Sequence, residues 1–408
     1  MGKLCFCSAA FGSWGIVRLG TLVPECHMLF VCPYSCGRHN SIGAIKHGYK
    51  DKISYLFVDE RDLALGTMTQ DIPKAIERIT TTLSQTPKVI LIYFSCVLYM
   101  SGLDWDSIIG ELSEAFPNIV FRACMMNPIA GNTKSPPVPA MLDTLCSLWD
   151  FDGSQKDTVN LLGCYETLDS KNELFRVLSE CGCGKLLHFT DAKCFEDYQT
   201  MGSSKYNIVV RPEGLLAAMK MKKRIPYSFV PVSYDINQVS EQYENIFSTI
   251  GRRTDLREFQ MDAENSIKEV RLLIGDSPIA VGSSAVCRPF DLARALIRYG
   301  FNVSDVFYET CPEFEQTAKV ELERMSKVKF HNVHDPECAE RIGKCSNAQI
   351  AIGYSAGYYT GAKYVADIMI DEGMFGYGGI TRLMALLKQA MREPIAVEAM
   401  IEEYGLIV

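Results

Sequence analysis

Met28-Leu-Phe-Val-Cys32-Pro-Tyr-Ser-Cys36-Gly-Arg-His39 decides the fold of this chain: an apolar run halts at a proline and turns polar. The run has the length and character of a buried strand, and Pro33 blocks its continuation. A helix start is expected next, with Ser35 as its N-cap. That arrangement puts two thiols and the free backbone N–H groups of a helix start at a strand end. Thiolates are stabilised in such a setting, and thiolates bind metals and iron–sulfur clusters. Two more thiols have similar surroundings. Cys7 lies in the small-residue loop Cys7-Ser-Ala-Ala-Phe-Gly-Ser-Trp-Gly15, and Cys96 closes the apolar run Val89-Ile-Leu-Ile-Tyr-Phe-Ser-Cys96. The expectation is that Cys7, Cys36 and Cys96 meet around one iron–sulfur cluster.

The 408 residues suffice for two or three domains with a sizeable core. A hydrophobic content of 48% with 22% charged residues describes a globular chain, and the net charge of −8 argues against nucleic acid as partner. No apolar stretch is long enough for a membrane span, and Met1-Gly-Lys-Leu-Cys-Phe-Cys does not read as a signal peptide, so a cytoplasmic location is expected. Sixteen cysteines are many. The chain is too long for a secreted disulfide scaffold, so metal, redox chemistry or an anaerobic, thiol-tolerant source is indicated. Cys146, Cys164, Cys287 and Cys345 stand in apolar or helical contexts and read as inert core thiols.

Apolar strand segments alternate with helical ones along the whole length, the pattern of parallel sheets covered on both faces. In the first unit the strand segments are Leu29–Cys32, Ser54–Val58, Val89–Ser95 and Ile119–Cys124, with helices over Asp71–Leu83 and Trp105–Ala115. A second unit runs from Thr158 to Val232. A charged connection over Ile236–Ile274, without proline, is expected to form one or two helices. A third unit opens at Pro278 and contains the Gly-rich segment Met374–Ile380, placed before a helix over Thr381–Met391. The expected domains are a cluster-binding α/β domain over 1–155, a second α/β domain with the helical connection over 156–270, and a third α/β domain over 271–408. Ligands of such sheets bind beyond the carboxyl ends of the strands, where Cys36, Cys96 and Cys124 are expected.

The wide spacing of these thiols is not that of a ferredoxin; it fits ligands supplied by separate loops of one sheet, and it also fits structural thiols. Cys32 and Cys124 are further candidate ligands, Cys32 equally a supporting thiol. Arg38 and His39 would tune a cluster or donate protons, or be ordinary polar residues of a helix start. Arg211 could face a substrate carboxylate or close a salt bridge at a strand end. Arg38, His39 and Arg211 are thus the catalytic candidates. The pairs Cys26-His27 and His331-Asn-Val-His334 have spacings that metals use but read more simply as loop residues. Cys181-Gly-Cys183 reads as a helix C-cap.

These features together resemble the nitrogenase component 1 family, which contains the molybdenum–iron protein subunits and tetrapyrrole-reducing relatives. Its first cysteine sits in a loop like Cys7-Ser-Ala-Ala-Phe-Gly, its second in a Pro-x-x-Cys turn like Pro33-Tyr-Ser-Cys36, and its third before a Gly and an acidic residue, as in Cys96-Val-Leu-Tyr-Met-Ser-Gly102-Leu-Asp104. Asp59-Glu60 with Ala64-Leu-Gly66 resembles the family's acidic stretch, and Phe375-Gly-Tyr-Gly-Gly379 its Gly-rich turn. The resemblance implies three Rossmann-like parallel-sheet domains around a central cleft. It implies a [4Fe–4S] or larger P-cluster-like cluster at an interface with an identical or homologous subunit, in a dimer or heterotetramer. It further implies electron delivery by an ATP-dependent iron–sulfur reductase to a small-molecule substrate. Where molybdenum–iron proteins use a cysteine in the second domain this chain has the region of Arg211, and Tyr364-Val-Ala-Asp-Ile-Met369 lacks the histidine of the third. No FeMo-type cofactor and no dinitrogen reduction are therefore expected. The chain also lacks a Gly-x-x-x-x-Gly-Lys-Ser/Thr loop, so it should not itself hydrolyse ATP. The rival readings are a non-catalytic scaffold for cluster assembly and an iron-free α/β small-molecule binder.

Overall fold

The computed structural model describes residues 15–126, 137–325, 327–340, 343–344, 346–397 and 399–400. Cys7 and Cys345 lie outside these residues, as do the side chains of Arg38 and His39. The described residues of Ser13–Tyr165 and Leu187–Tyr227 form one compact unit, and those of Glu166–Leu186 and Ser228–Val408 form a second.

Among the described residues, thirteen strands make three sheets. The first holds β1 (Cys26–Cys32), β2 (Ile53–Phe57), β3 (Val89–Ser95) and β4 (Val120–Met126) in the order β2-β1-β3-β4, parallel throughout. Every residue of β1 and β3 is buried, so both faces of the central strands are covered. Alternation sorts their side chains between the two faces. Leu29, Val31, Ile90, Ile92 and Phe94 join a cluster with Met68, Ile72, Ile76, Ile108 and Leu112, from the helices Met68–Thr82 and Trp105–Ala115. The opposite face carries Phe30 stacked on Tyr93 at 4.5 Å between centroids, with Tyr55 at 5.6 Å from Phe30. At roughly 1.5–3 kcal/mol per buried large apolar side chain, this two-sided burial is the main force holding β1 beside β3.

The second sheet holds β5 (Lys156–Leu162), β6 (Lys185–Leu187), β7 (Ser204–Val209) and β8 (Tyr227–Phe229) in the order β6-β5-β7-β8, with β5 and β7 parallel. The third, entirely parallel, holds β9 (Ile279–Val281), β10 (Val303–Tyr308), β11 (Lys329–Asn332), β12 (Ile350–Ile352) and β13 (Tyr364–Ala366) in the order β11-β10-β9-β12-β13. The connection over 236–274 is two helices, Ile236–Ile250 and Arg257–Ile274, parted at Gly251. No helix among the described residues is long and apolar enough to cross a membrane.

Two local expectations change. Pro33, not Ser35, is the N-cap of the helix Tyr34–Lys46, and no side chain caps it. The fixed φ of Pro33, −59°, already turns the chain, so the helix begins at Tyr34, two residues before a Ser35 cap would start it. The Gly-rich segment does not precede its helix but forms the first turn of Gly376–Ala390; a buried carboxylate, described below, holds that turn.

The helix Pro289–Arg298 carries buried charge. Asp291 and Glu315 are fully buried and share Arg288, whose side chain lies 3.4 Å from Asp291 and 3.3 Å from Glu315. Phe290 N–H donates to Glu315 at 2.9 Å. Burial lifts the Glu315 carboxyl to about 7; Arg288 opposes this and the Asp291 carboxylate adds to it. The folded chain therefore keeps this proton to higher pH than the unfolded chain, whose carboxyl titrates near its ordinary 4.5. The sign follows: this group's contribution to stability is present below about pH 4.5 and is lost as pH rises through 7. Urea unfolding of Glu315→Gln beside the parent should show the parent losing on the order of 1–3 kcal/mol relative to the variant between pH 5 and 7.5. Parallel profiles would refute this assignment.

Candidate functional site

The carboxyl ends of β1 and β3 lie side by side, because the two strands pair in register from Cys26 with Val89 to Val31 with Phe94. Neighbouring strands run about 4.8 Å apart. A helix leaves each end: Tyr34–Lys46 after β1 and Cys96–Met100 after β3. Cys36 is the third residue of the first helix and Cys96 the first residue of the second. Both thiols are half-buried, hence reachable. Gly37, next to Cys36, packs so closely on the Phe57 and Tyr55 rings that a Cβ there would overlap them. That contact seats the helix on the Cys32 face of the sheet.

Cys32 is the last residue of β1 and is fully buried. Burial, reinforced by the neighbouring Cys36, raises its thiol to about 12. Ser95 is the last residue of β3 and the N-cap of the helix at Cys96, yet its side chain makes no capping bond. It is 2% exposed, and its hydroxyl has no hydrogen-bond partner among the described residues. Continuing the pairing by one position sets Ser95 level with Cys32 and on the same face.

Cys124 differs from its expected place. It lies two residues inside β4, paired with Tyr93, and is buried. Its thiol is pushed well up, first by burial and then by Cys26, against the pull of Arg122. Cys26 and His27 are not loop residues and cannot share one ion, since adjacent strand residues face opposite ways. The Cys26 thiol is raised to about 12 by burial, while His27 bonds Ser54 at 2.8 Å and is lowered by burial to about 4.

In the second sheet, Arg211 follows β7 and is 4% exposed. It donates to Glu213 at 2.6 Å and lies 5.8 Å from the Tyr165 ring centroid. The salt bridge at a strand end is thus what it forms. His331 is held by Asp305 at 2.7 Å. Cys181 caps the helix Glu173–Glu180, as expected. Three metal-ligand side chains converge at Glu25, Cys194 and Glu196, with donor atoms within 4.8 Å of one another. Lys88 lies 2.5 Å from Glu196 and 3.4 Å from Glu25, and so holds the position a cation would take.

Sequence reading missed Glu173. This residue is 1% exposed and receives Tyr377 N–H at 2.6 Å, Gly378 N–H at 2.9 Å and the Tyr243 hydroxyl at 2.8 Å. A carboxylate of the chain itself thus occupies the positive end of the helix Gly376–Ala390. Burial raises the Glu173 carboxyl above its usual range, and these bonds pull it back. Asn172 adds a 2.8 Å bond to the Phe375 carbonyl. Gly376 has a φ of +62°, and a Cβ there would collide with the Glu173 carboxylate. The Phe375–Gly379 glycines were the visible signal; their partner, two hundred residues away, had none.

Comparison with known proteins bears on the family and the fold. The family model described as "Nitrogenase component 1 type Oxidoreductase" matches residues 13–392. A solved structure described as "Nitrogenase Cp1 at pH 6.5" superposes with a TM-score of 0.74 at 13% identity, covering 98% of this chain and 93% of that one. A second, "Nitrogenase Cp1 at pH 5", gives a TM-score of 0.63 at 14% identity, over 96% and 89%. At these identities the likeness shows the fold. No curated protein matches the chain in sequence.

Glu173→Ala would leave two buried N–H groups and a buried hydroxyl without their acceptor. It should cost about 2–4 kcal/mol in urea unfolding, and Glu173→Gln, which keeps one acceptor, about half as much. An unchanged midpoint for the alanine variant would refute the capping role.

Proposed function

The chain belongs to the nitrogenase component 1 type oxidoreductase family, and from that premise we propose that it is the iron–sulfur subunit of a nitrogenase-like two-component reductase. It takes electrons from an ATP-dependent iron–sulfur protein and passes them to a small-molecule substrate other than dinitrogen. The observation that carries this reading is the pair of reachable thiols, Cys36 and Cys96, opening helices at the ends of two adjacent parallel strands. The donor set fits an iron–sulfur cluster: two half-buried thiols, which are soft donors, and a buried hydroxyl without a partner among the described residues at Ser95, next to Cys96. Cys36 and Cys96 would hold the cluster with Cys7 and ligands of a second subunit, identical or homologous. Such a cluster supplies one-electron storage at low potential. Cys32 and Cys124, whose thiols burial keeps protonated, support the sheet end from beneath.

Two observations favour a substrate other than dinitrogen. Arg211 stands where the resemblance places a cofactor cysteine, and one of its nitrogens bonds Glu213. The N–H groups of the Gly-rich turn are committed to Glu173. Tetrapyrroles and small sulfur or carbon compounds with bonds that resist reduction are the substrate classes to test. The setting is a cytoplasmic one, poor in oxygen.

Protein purified without oxygen should contain about four irons and four sulfides per cluster, with an EPR signal on reduction. Cys36→Ser and Cys96→Ser should lose most of both. Iron-free parent protein from an iron-replete preparation would refute the reading. Transfer of the cluster to an acceptor, with no substrate reduced when the electron donor is present, would establish the scaffold role instead.

A further inference from the structure

Resting on the cluster reading above, we infer that the Ser95 hydroxyl donates a hydrogen bond to the cluster held at Cys36 and Cys96 and thereby sets its reduction potential. A buried hydroxyl without a partner is a cost that folded chains rarely retain, and each instance calls for a physical reason. Ser95 had a local remedy. It is an N-cap residue, whose hydroxyl ordinarily accepts from a backbone N–H two or three residues on, yet it makes no such bond. It is 2% exposed, so solvent does not satisfy it either.

Its direction is fixed by the sheet. Ser95 shares a face with Tyr93 and, one strand over, stands level with Cys32. The helix bearing Cys36 is seated on that face through Gly37, against Tyr55 and Phe57. Cys96 is the next residue along the backbone. The hydroxyl thus lies at the shared end of the two strands, one residue from Cys96 and level with the strand end that leads to Cys36. Thiolate and sulfide sulfurs are acceptors, and a donor aimed at them favours the more negative, reduced state of a cluster. Ser95 acts through the cluster and is a positioning and tuning residue.

The test compares parent, Ser95→Ala and Ser95→Thr, purified without oxygen, by EPR-monitored redox titration with iron and sulfide assay. Ser95→Ala is expected to bind as much iron as the parent with a more negative midpoint potential, and Ser95→Thr, which keeps the hydroxyl, to return towards the parent value. In cluster-free protein, Ser95→Ala should melt at or above the parent temperature, because the hydroxyl it removes has no partner among the described residues. A fully loaded Ser95→Ala with the parent's potential overturns the inference. Loss of iron from Ser95→Ala but not from Ser95→Thr also overturns it, making the oxygen a ligand instead of a donor. An iron-free parent overturns the cluster reading itself, and with it this role.

Discussion

Burial of β1 and β3 on both faces is the constraint on which the candidate site depends. A strand with no exposed residue has no freedom to slide: a one-residue slip would exchange its two apolar faces. The pairing of Cys26–Val31 with Val89–Phe94 is therefore firm, and both strands end at the same level. Pro33 and Ser95 then stop the ladder, and each chain turns into a helix. Cys36 and Cys96 are positioned by the geometry of the sheet beneath them and not by contacts of their own.

The same economy governs charge. In the unit containing the third sheet, the helix start at Gly376 points its N–H groups at Glu173, and the helix start at Pro289 points Phe290 N–H at Glu315. Positive helix ends that could receive an external anion are closed by the chain's own carboxylates. In the other unit the guanidinium of Arg211 is tied to Glu213. The thiols of the first sheet stand in contrast. Cys36 and Cys96 are reachable, and the hydroxyl of Ser95 beside them is left unspent. Two soft donors with a buried, unbonded hydroxyl beside one of them are the groups on which the proposed cluster site rests.

Legibility followed the range of the interaction. Val89–Ser95 and Trp105–Ala115 were read to the residue, because a continuous apolar run or a 3.6-residue period is written in adjacent letters. The helices Pro137–Cys146 and Glu313–Met325 and the short strand β13 were not singled out, since their stability comes from packing more than from local pattern. Cys124 was placed at a strand end because β4 continues through Met125 and Met126, whose side chains mark no boundary.

The amino-acid sequence by itself determined the class of fold, the alternation that makes parallel sheets, and the thiols at strand ends on which the proposed cluster site rests. Each is a property of neighbouring residues, so each is visible without coordinates. Only the tertiary structure decided which of those thiols are half-buried and which buried, that Arg211 bonds Glu213, that Glu173 closes the Gly-rich turn, and that the Ser95 hydroxyl has no partner among the described residues. These depend on which segments meet across the chain and on what burial then removes from water, and no stretch of sequence records that.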